Sequence, residues 1–78
     1  MSTNTRKIKG EDVFQVLAHS FSVSPSTSGY TLQYSADGIG FTSWDEPTPA
    51  NEVLVVNGVA KMMYFKLLGN TGEVTVVY

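Results

Sequence analysis

The sequence predicts a single small all-β domain, a β-sandwich or barrel of about six short antiparallel strands. Three observations predict this class. Apolar and polar residues alternate with the period of a β-strand in most segments after residue 12. Clusters of glycine, proline, serine and asparagine separate these segments, as turns and loops do. No segment carries the caps of a helix, and 78 residues are enough for one domain only.

Residues 1–12 are polar and are expected to form a flexible N-terminal arm ahead of the domain at residues 13–78. Ile8 is the only apolar residue after Met1, which is too little apolar surface to pack. We expect such an arm to dock along a neighbouring protein with Ile8 as its apolar anchor. Its deletion is then expected to weaken attachment and to leave the domain folded, whereas an unstructured tail without a role is the alternative. Three of the five basic residues lie in this arm: Arg6, Lys7 and Lys9.

Residues 13–23 (VFQVLAHSFSV) predict the first strand of the domain. The run SFSV alternates cleanly, and aromatic and β-branched residues prefer strands. Val13, Leu17, Phe21 and Val23 then share one face of the strand. A helix over residues 11–21 is the alternative, because this segment also has apolar residues at helical spacing.

After a loop at residues 24–29, residues 30–46 predict a β-hairpin. YTLQYS is the most regular alternation in the chain, and Asp37-Gly38 is a strong turn dipeptide. The carboxylate of Asp37 is expected to accept hydrogen bonds from backbone N–H groups about two residues on, and Ser35 to do so more weakly. Because calcium takes about six or more oxygens and this loop offers one carboxylate, we expect a turn here and no metal site.

The C-terminal part predicts three further strands. Residues 52–56 (EVLVV) are apolar on both faces, which is typical of an interior strand. Residues 60–68 (AKMMYFKLL) predict the next strand because aromatic residues favour strands and no helix cap precedes them. We expect Gly69 and Gly72 to supply positive φ in a turn, so that residues 62–78 form a hairpin.

The composition argues against several classes of function. The chain has no Cys and one His, so it has no disulfide, no thiolate metal site and no Cys nucleophile. The net charge of −2 and the acidic body argue against nucleic acid as the main partner, and no apolar run approaches ~18 residues, so no membrane contact is expected. Asp45 and Glu46 would point to opposite faces of a strand, and nothing in the pattern orients His19 as a base. We therefore expect no enzymatic activity, no cofactor and no metal.

The aromatic residues Trp44, Tyr30 and Tyr34 are candidates for a glycan-stacking platform, which Phe41 and Tyr64 would extend. Tyrosine and tryptophan combine an apolar ring with a polar group, as carbohydrate sites require. In a domain of this size most aromatic side chains are needed for the core, so packing is the competing interpretation. Trp44 is the best candidate for exposure because it falls opposite Phe41 in the strand pattern.

Three motifs, YTLQYSADG, TPA and YFKLLGNTG, resemble small virion proteins of tailed bacteriophages, in particular those of crAss-like phages of gut Bacteroidales. The resemblance covers residues 30–78. It implies an immunoglobulin-like β-sandwich of about six to seven antiparallel strands. It also implies an auxiliary (decoration) protein, made in the host cytoplasm, that binds the outer surface of the capsid and stabilises the shell. The partners would be the major capsid protein or other virion proteins, with homo-oligomers as an option. A carbohydrate-binding or adhesive module is the alternative function.

Overall fold

Eight antiparallel β-strands in two sheets make up the part of the chain that the computed structural model describes, which is residues 4–16, 19–59 and 63–78. The strands are β1 (Thr5–Lys9), β2 (Phe14–Gln15), β3 (Phe21–Val23), β4 (Thr31–Ser35), β5 (Thr42–Ser43), β6 (Leu54–Val56), β7 (Tyr64–Leu68) and β8 (Glu73–Val77). The first sheet has the order β1-β8-β3-β6, and the second has the order β2-β7-β4-β5. No helix occurs in the described ranges. The predicted all-β sandwich is therefore confirmed, and the helix alternative is wrong.

The apolar core lies between the two sheets and is built from the inward-facing half of each alternating strand. Phe65 of β7 and Val76 of β8 are both 0 % exposed. Phe14, Phe21 and Phe65 pack as an aromatic cluster, with ring centroids 5.0–6.2 Å apart. These residues remove enough apolar surface from water to hold two sheets together without any disulfide. The buried apolar residues are Ile8, Phe14, Val16, Phe21, Val23, Tyr30, Leu32, Val56, Val59, Phe65, Leu67, Val74 and Val76.

The chain changes sheets between β2 and β3, where a single strand over residues 13–23 was expected. β2 pairs with β7 in the second sheet, whereas β3 pairs with β6 and β8 in the first. The buried positions shift accordingly from Phe14 and Val16 to Phe21 and Val23, while Val13 is 46 % exposed. The prediction that Val13 shares the face of Phe21 and Val23 is wrong, because a chain that crosses between sheets changes the phase of its inward-facing side.

The hairpin predicted at residues 30–46 is confirmed. Tyr34 pairs with Thr42, and Gln33 pairs with Ser43. Beyond the paired residues, the Trp44 N–H donates to the Leu32 carbonyl at 2.8 Å. The connection between β4 and β5 therefore reverses the chain within one sheet, as a local turn signal can specify.

The hairpin predicted at residues 62–78 is wrong. β7 pairs with β2 and β4 in the second sheet, whereas β8 pairs with β1 and β3 in the first. The segment GNTG carries the chain from one sheet to the other. Gly69 has the expected positive φ (91°), but Gly72 does not. Two neighbouring segments can pair side by side in one sheet or pack face to face across a sandwich. Here the two segments lie in opposite sheets.

Strand β6 lies at the edge of the first sheet, although the apolar run EVLVV predicts an interior strand. Only Val56 of this strand is fully buried. Val53 and Val55 are 58 % and 62 % exposed. The expectation of an interior strand is therefore wrong, and the apolar side chains on the outer side of β6 require another explanation.

The flexible arm expected over residues 1–12 is not confirmed, because residues 5–9 form strand β1. This strand pairs with β8 over its whole length, from Thr5 opposite Val77 to Lys9 opposite Glu73. Ile8 is 3 % exposed and belongs to the core. One inward apolar side chain and five cross-strand pairs are enough to add this polar segment to an existing sheet edge. Residues 1–3 of the expected arm lie outside the described residues.

The immunoglobulin-like order implied by the resemblance is not confirmed either. In that fold the last two strands lie side by side in one sheet. Here the last two strands, β7 and β8, lie in different sheets, and each sheet has four strands. The architecture is a two-sheet sandwich with its own strand order.

Candidate functional site: a groove on the first sheet

The outer face of the first sheet carries a shallow groove of about 290 Å³. Thr5, Val77, Ser22 and Val55 lie opposite one another in a row that crosses the four strands β1, β8, β3 and β6. Ser22 is much smaller than the valines on either side of it, so the row is lowest at its centre. The groove is lined by Ser20, Phe21, Ser22, Val55, Val77 and Tyr78.

The groove combines exposed apolar walls with hydroxyl groups, and none of its described lining residues has a charged side chain. Val55 is 62 % exposed and Val77 is 38 % exposed. An ion pair of the same face, Lys7 with Glu73 at 3.9 Å, lies away from the groove on the opposite edge strand β1 and its neighbour β8. Such a surface can accept an apolar side chain of a partner protein, with serine hydroxyls to satisfy nearby polar groups.

The basic residues expected to form a docking arm are instead fixed on strand β1. The guanidinium of Arg6 donates to the Gln15 carbonyl on β2 at 2.9 Å, which joins the edges of the two sheets. Lys7 and Lys9 lie on the solvent-exposed side of β1. Ile8, which was expected to be an apolar anchor for a partner, is buried in the core of the domain.

The three aromatic residues expected to form a glycan platform do not make a common exposed surface. Tyr30 is 4 % exposed, and its buried hydroxyl has no hydrogen-bond partner among the described residues. This burial raises the pKa of Tyr30 to about 12. The rings of Tyr34 and Trp44 are half-buried, 5.4 Å apart and nearly perpendicular (87°), and Trp44 also packs edge-on against Phe65. Both rings therefore pack mainly against the apolar core, at its margin.

The outer face of the second sheet holds two further half-exposed aromatic rings, those of Phe41 and Tyr64. The Lys66 ammonium lies 4.7 Å from the centre of the Phe41 ring, a cation–π contact. Tyr64 lies beside the β4–β5 turn, where a Cβ at Gly38 would come within 3.4 Å of its ring. Gln33 lies between Lys66 and Ser43 on this face. The face therefore joins two rings to amide, hydroxyl and ammonium groups.

The turn at Asp37 and Gly38 is closed by a local hydrogen-bond network. One carboxylate oxygen of Asp37 accepts the N–H groups of Ile39 (2.9 Å) and Gly40 (3.2 Å). The Ser35 hydroxyl donates to the same oxygen at 2.8 Å and accepts the N–H of Gly38 at 2.9 Å. The Ile39 N–H bond, followed by the Ser35 and Gly40 bonds, lowers the pKa of Asp37. Gly38 has φ of 80°, which favours glycine at this position.

The turn at Gly69 and Gly72 is held by Asn70, a residue that the sequence analysis did not single out. Asn70 is 4 % exposed. Its amide donates to the carbonyls of Gly10 and Gly72, both at 2.9 Å, and its oxygen accepts the Ser26 hydroxyl at 2.8 Å. Asparagine is common in exposed turns, so the sequence did not distinguish a buried, hydrogen-bonded Asn70 from an ordinary exposed turn residue. Its role here is structural, because it ties three loops together where the chain changes sheets.

The polar residues considered for chemistry do not converge on a common site. The Nδ1 atom of His19 is 3.0 Å from the Val59 carbonyl oxygen, and Asp45 bonds the N–H of Glu46. Among the described residues, no three His, Asp or Glu side chains are grouped so that they could hold a metal ion.

The groove itself was missed by the sequence analysis, although one signal was present. Val53 and Val55 are two apart and share one face of the strand, and no charge lies between them. Such a pair on an edge strand is exposed, but the sequence does not show which strands are at an edge.

Comparisons with known proteins give no relative for this chain: no family model, no curated protein and no solved structure matches it. In the parts of the chain described by the structure, no helix is long and apolar enough to cross a membrane.

Proposed function

We propose that the protein is a structural, non-enzymatic module that binds a protein shell, as an auxiliary (decoration) protein on the outside of a bacteriophage capsid. The phage assignment rests on the resemblance of residues 30–78 to small virion proteins. The proposed contact surface is the groove on the first sheet, in place of the N-terminal arm. The partner is the major capsid protein or another virion protein.

The observation that supports this proposal is the pair of exposed valines, Val55 and Val77, on the outer face of the first sheet. Val55 and Val77 flank Ser22 there, and the described residues that line the groove include no charged side chain. Exposed apolar residues that are grouped on one face mark interaction sites more often than scattered ones do. A small domain without disulfides also gains stability when a partner binds its folded state.

The first experiment is to count copies of this chain in purified particles by quantitative mass spectrometry. A decoration protein is expected at a fixed ratio to the major capsid protein, because each copy occupies a symmetry-related site. The particles should also lose stability to heat when the protein is absent. Particles without the protein, or with a variable trace of it, would contradict the proposal.

The second experiment tests the surface. Val77→Lys places a charge in the groove and is expected to weaken binding to particles that lack the protein by about tenfold or more, since one buried unpaired charge costs several kcal/mol. Ser43→Lys is the matched control, because Ser43 is an exposed residue on the outer face of the second sheet. Equal loss of binding in both variants would rule out the groove as the contact surface.

A carbohydrate-binding or adhesive module is the second candidate function, and the outer face of the second sheet favours it. Tyr64 and Phe41 provide rings there, and Gln33 and Lys66 provide polar groups. Binding on a glycan array that is lost in Tyr64→Ala and retained in Tyr34→Ala would support this function. Failure of the wild-type protein to bind any glycan would dismiss it.

A further inference from the structure

Strand β6 is a three-residue edge strand that carries neither a charge nor a proline to prevent edge-to-edge pairing. Natural proteins protect sheet edges with charges, with proline, or with very short strands. Of the other edge strands, β1 carries Arg6, Lys7 and Lys9, and β2 and β5 have two residues each, one fewer than β6. In contrast, residues 53–59 (VLVVNGV) carry no charge and no proline.

The hydrogen-bond pattern of the first sheet shows which groups of β6 face outward. The Ser24 N–H donates to the Thr75 carbonyl on β8 at 2.9 Å. Because bonding directions alternate along a strand, Phe21 and Val23 of β3 direct their N–H and C=O groups to β6. Their partners on β6 are Val56 and Leu54. The N–H and C=O of Val55, which lies between them, therefore point to the free edge.

We propose that two copies of this chain associate through antiparallel pairing of their β6 strands about a two-fold axis at Val55. The Val55 of one copy then exchanges both backbone hydrogen bonds with the Val55 of the other. Val53, which directs its backbone groups outward in the same way, lies opposite Asn57 of the second copy. The two first sheets become one continuous eight-stranded sheet.

The sequence of β6 is compatible with this self-pairing. In this register Leu54 lies opposite Val56 of the second copy on the core side, so the half-buried Leu54 loses its remaining exposure. Glu52 lies opposite Gly58, so no two like charges meet. Gly58 has φ of 80°, which turns the chain away from the edge and limits the pairing to residues 53–57. The interface is isologous, and it closes after two copies.

The partner could also have been a strand of another protein, since any extended segment can add to a free edge. The register centred on Val55 favours a second copy, because Glu52 then lies opposite the uncharged Gly58 and Leu54 lies opposite Val56. The proposal does not depend on the shell-binding role, because it is tested on the purified protein alone.

The test is sedimentation velocity of the purified full-length protein from micromolar to millimolar concentration. We expect a reversible monomer–dimer equilibrium. Val55→Lys places two ammonium groups opposite each other at the axis and is expected to weaken the dimer at least about tenfold. Val55→Pro removes only an outward N–H and is expected to act in the same way. Val77→Lys, on the interior strand β8 of the same face, is the control that keeps the dimer.

A second measurement reports the geometry directly. The chain has no Cys, so single-cysteine variants are clean reporters. A short bis-maleimide linker is expected to join Val55→Cys protomers efficiently, because these residues lie about 5.5 Å apart in the paired strands. It should not join Val77→Cys protomers, which are five strand spacings, about 24 Å, apart.

Three results would overturn the proposal. One is a wild-type protein that stays monomeric at every concentration, and another is a dimer that persists in both Val55→Lys and Val55→Pro. The third is an open-ended polymer, because a closed two-fold pairing cannot extend. Near-UV circular dichroism establishes that each variant is folded. If Val55→Pro does not fold, a dimer that persists in Val55→Lys alone overturns the proposal.

Discussion

Tyr30 carries a buried hydroxyl without a hydrogen-bond partner among the described residues. Its replacement therefore tests how much this hydroxyl destabilises the core. An unsatisfied buried polar group costs about 1–3 kcal/mol, so Tyr30→Phe is expected to raise the free energy of unfolding by about 1 kcal/mol. Urea denaturation at neutral pH measures this change. A variant that is less stable than wild type would show that the hydroxyl makes a stabilising contact.

The same residue predicts the behaviour at high pH. Burial raises the pKa of Tyr30 from 10.0 to about 12, so the folded state favours the neutral phenol. The stability that this contributes is present below pH 10 and is lost as the pH rises towards 12. The stability advantage of Tyr30→Phe over wild type should therefore grow between these pH values. An advantage that stays constant would contradict the burial of the hydroxyl.

Asp37 predicts the behaviour of the β4–β5 turn at low pH. Bonds from Ile39, Ser35 and Gly40 lower its pKa below the ordinary 3.8. Its contribution to stability is therefore present above that value and is lost as the pH falls through the folded-state pKa. Asp37→Asn keeps one acceptor oxygen but cannot ionise. We expect the stability difference between wild type and this variant to shrink from pH 7 to pH 3, as followed by urea denaturation, and a constant difference would contradict the network.

At the scale of the elements, strand β1 is expected to be part of the folding unit. Ile8→Ala removes a core side chain and should lower the free energy of unfolding by about 3 kcal/mol. Lys7→Ala is the matched control one residue away. Its exposed ion pair with Glu73 is expected to contribute less than about 1 kcal/mol. Equal and small effects of both changes would show that residues 5–9 are a detachable arm, and deletion of residues 2–12 would then leave the domain folded.

Two connections between strands show which features of the fold are specified by local sequence and which depend on long-range contacts. The β4–β5 hairpin was predicted because Asp37, Ser35 and Gly38 specify a reversal within a few residues. The segment at Gly69 has similar turn chemistry, yet it leads to the other sheet. There the decision depends on Asn70, which bonds Gly10 and Ser26 from distant parts of the chain. Local propensity specifies that a chain turns, but long-range pairing specifies where it arrives.

At the scale of the whole molecule, association through β6 predicts that stability depends on protein concentration. Anything that binds the folded state raises the apparent stability by mass action. The midpoint of thermal unfolding of the wild type should therefore rise by several degrees when the concentration is raised about a hundredfold. The midpoint of Val55→Lys should not change over the same range. Differential scanning calorimetry measures both, and an identical response of the two proteins would contradict the β6 dimer.

The dimer also bears on the proposed role on a shell. Joined through β6, the two grooves lie on one face of a continuous sheet, with Val77 of each copy about 24 Å from the other. A surface that presents two equal contacts gains avidity when both are engaged. Val55→Lys is therefore expected to reduce binding to particles indirectly, whereas Val77→Lys reduces it at the contact itself.

The sequence by itself determined the β class, the positions of most strands and the turn at Asp37. It did so because a period of two and a turn dipeptide act over a few residues, and each leaves a visible pattern.

Only the tertiary structure decided which sheet each strand joins, and with it the edges and the groove. The alternation of a strand shows which side chains face inward, but both sheets of a sandwich present the same inward pattern. The run EVLVV is therefore equally compatible with an interior and an edge position. The site at Val55 exists because β3 lies beside β6 and nothing in the described chain lies on its other side, and that arrangement depends on pairings between residues far apart in sequence.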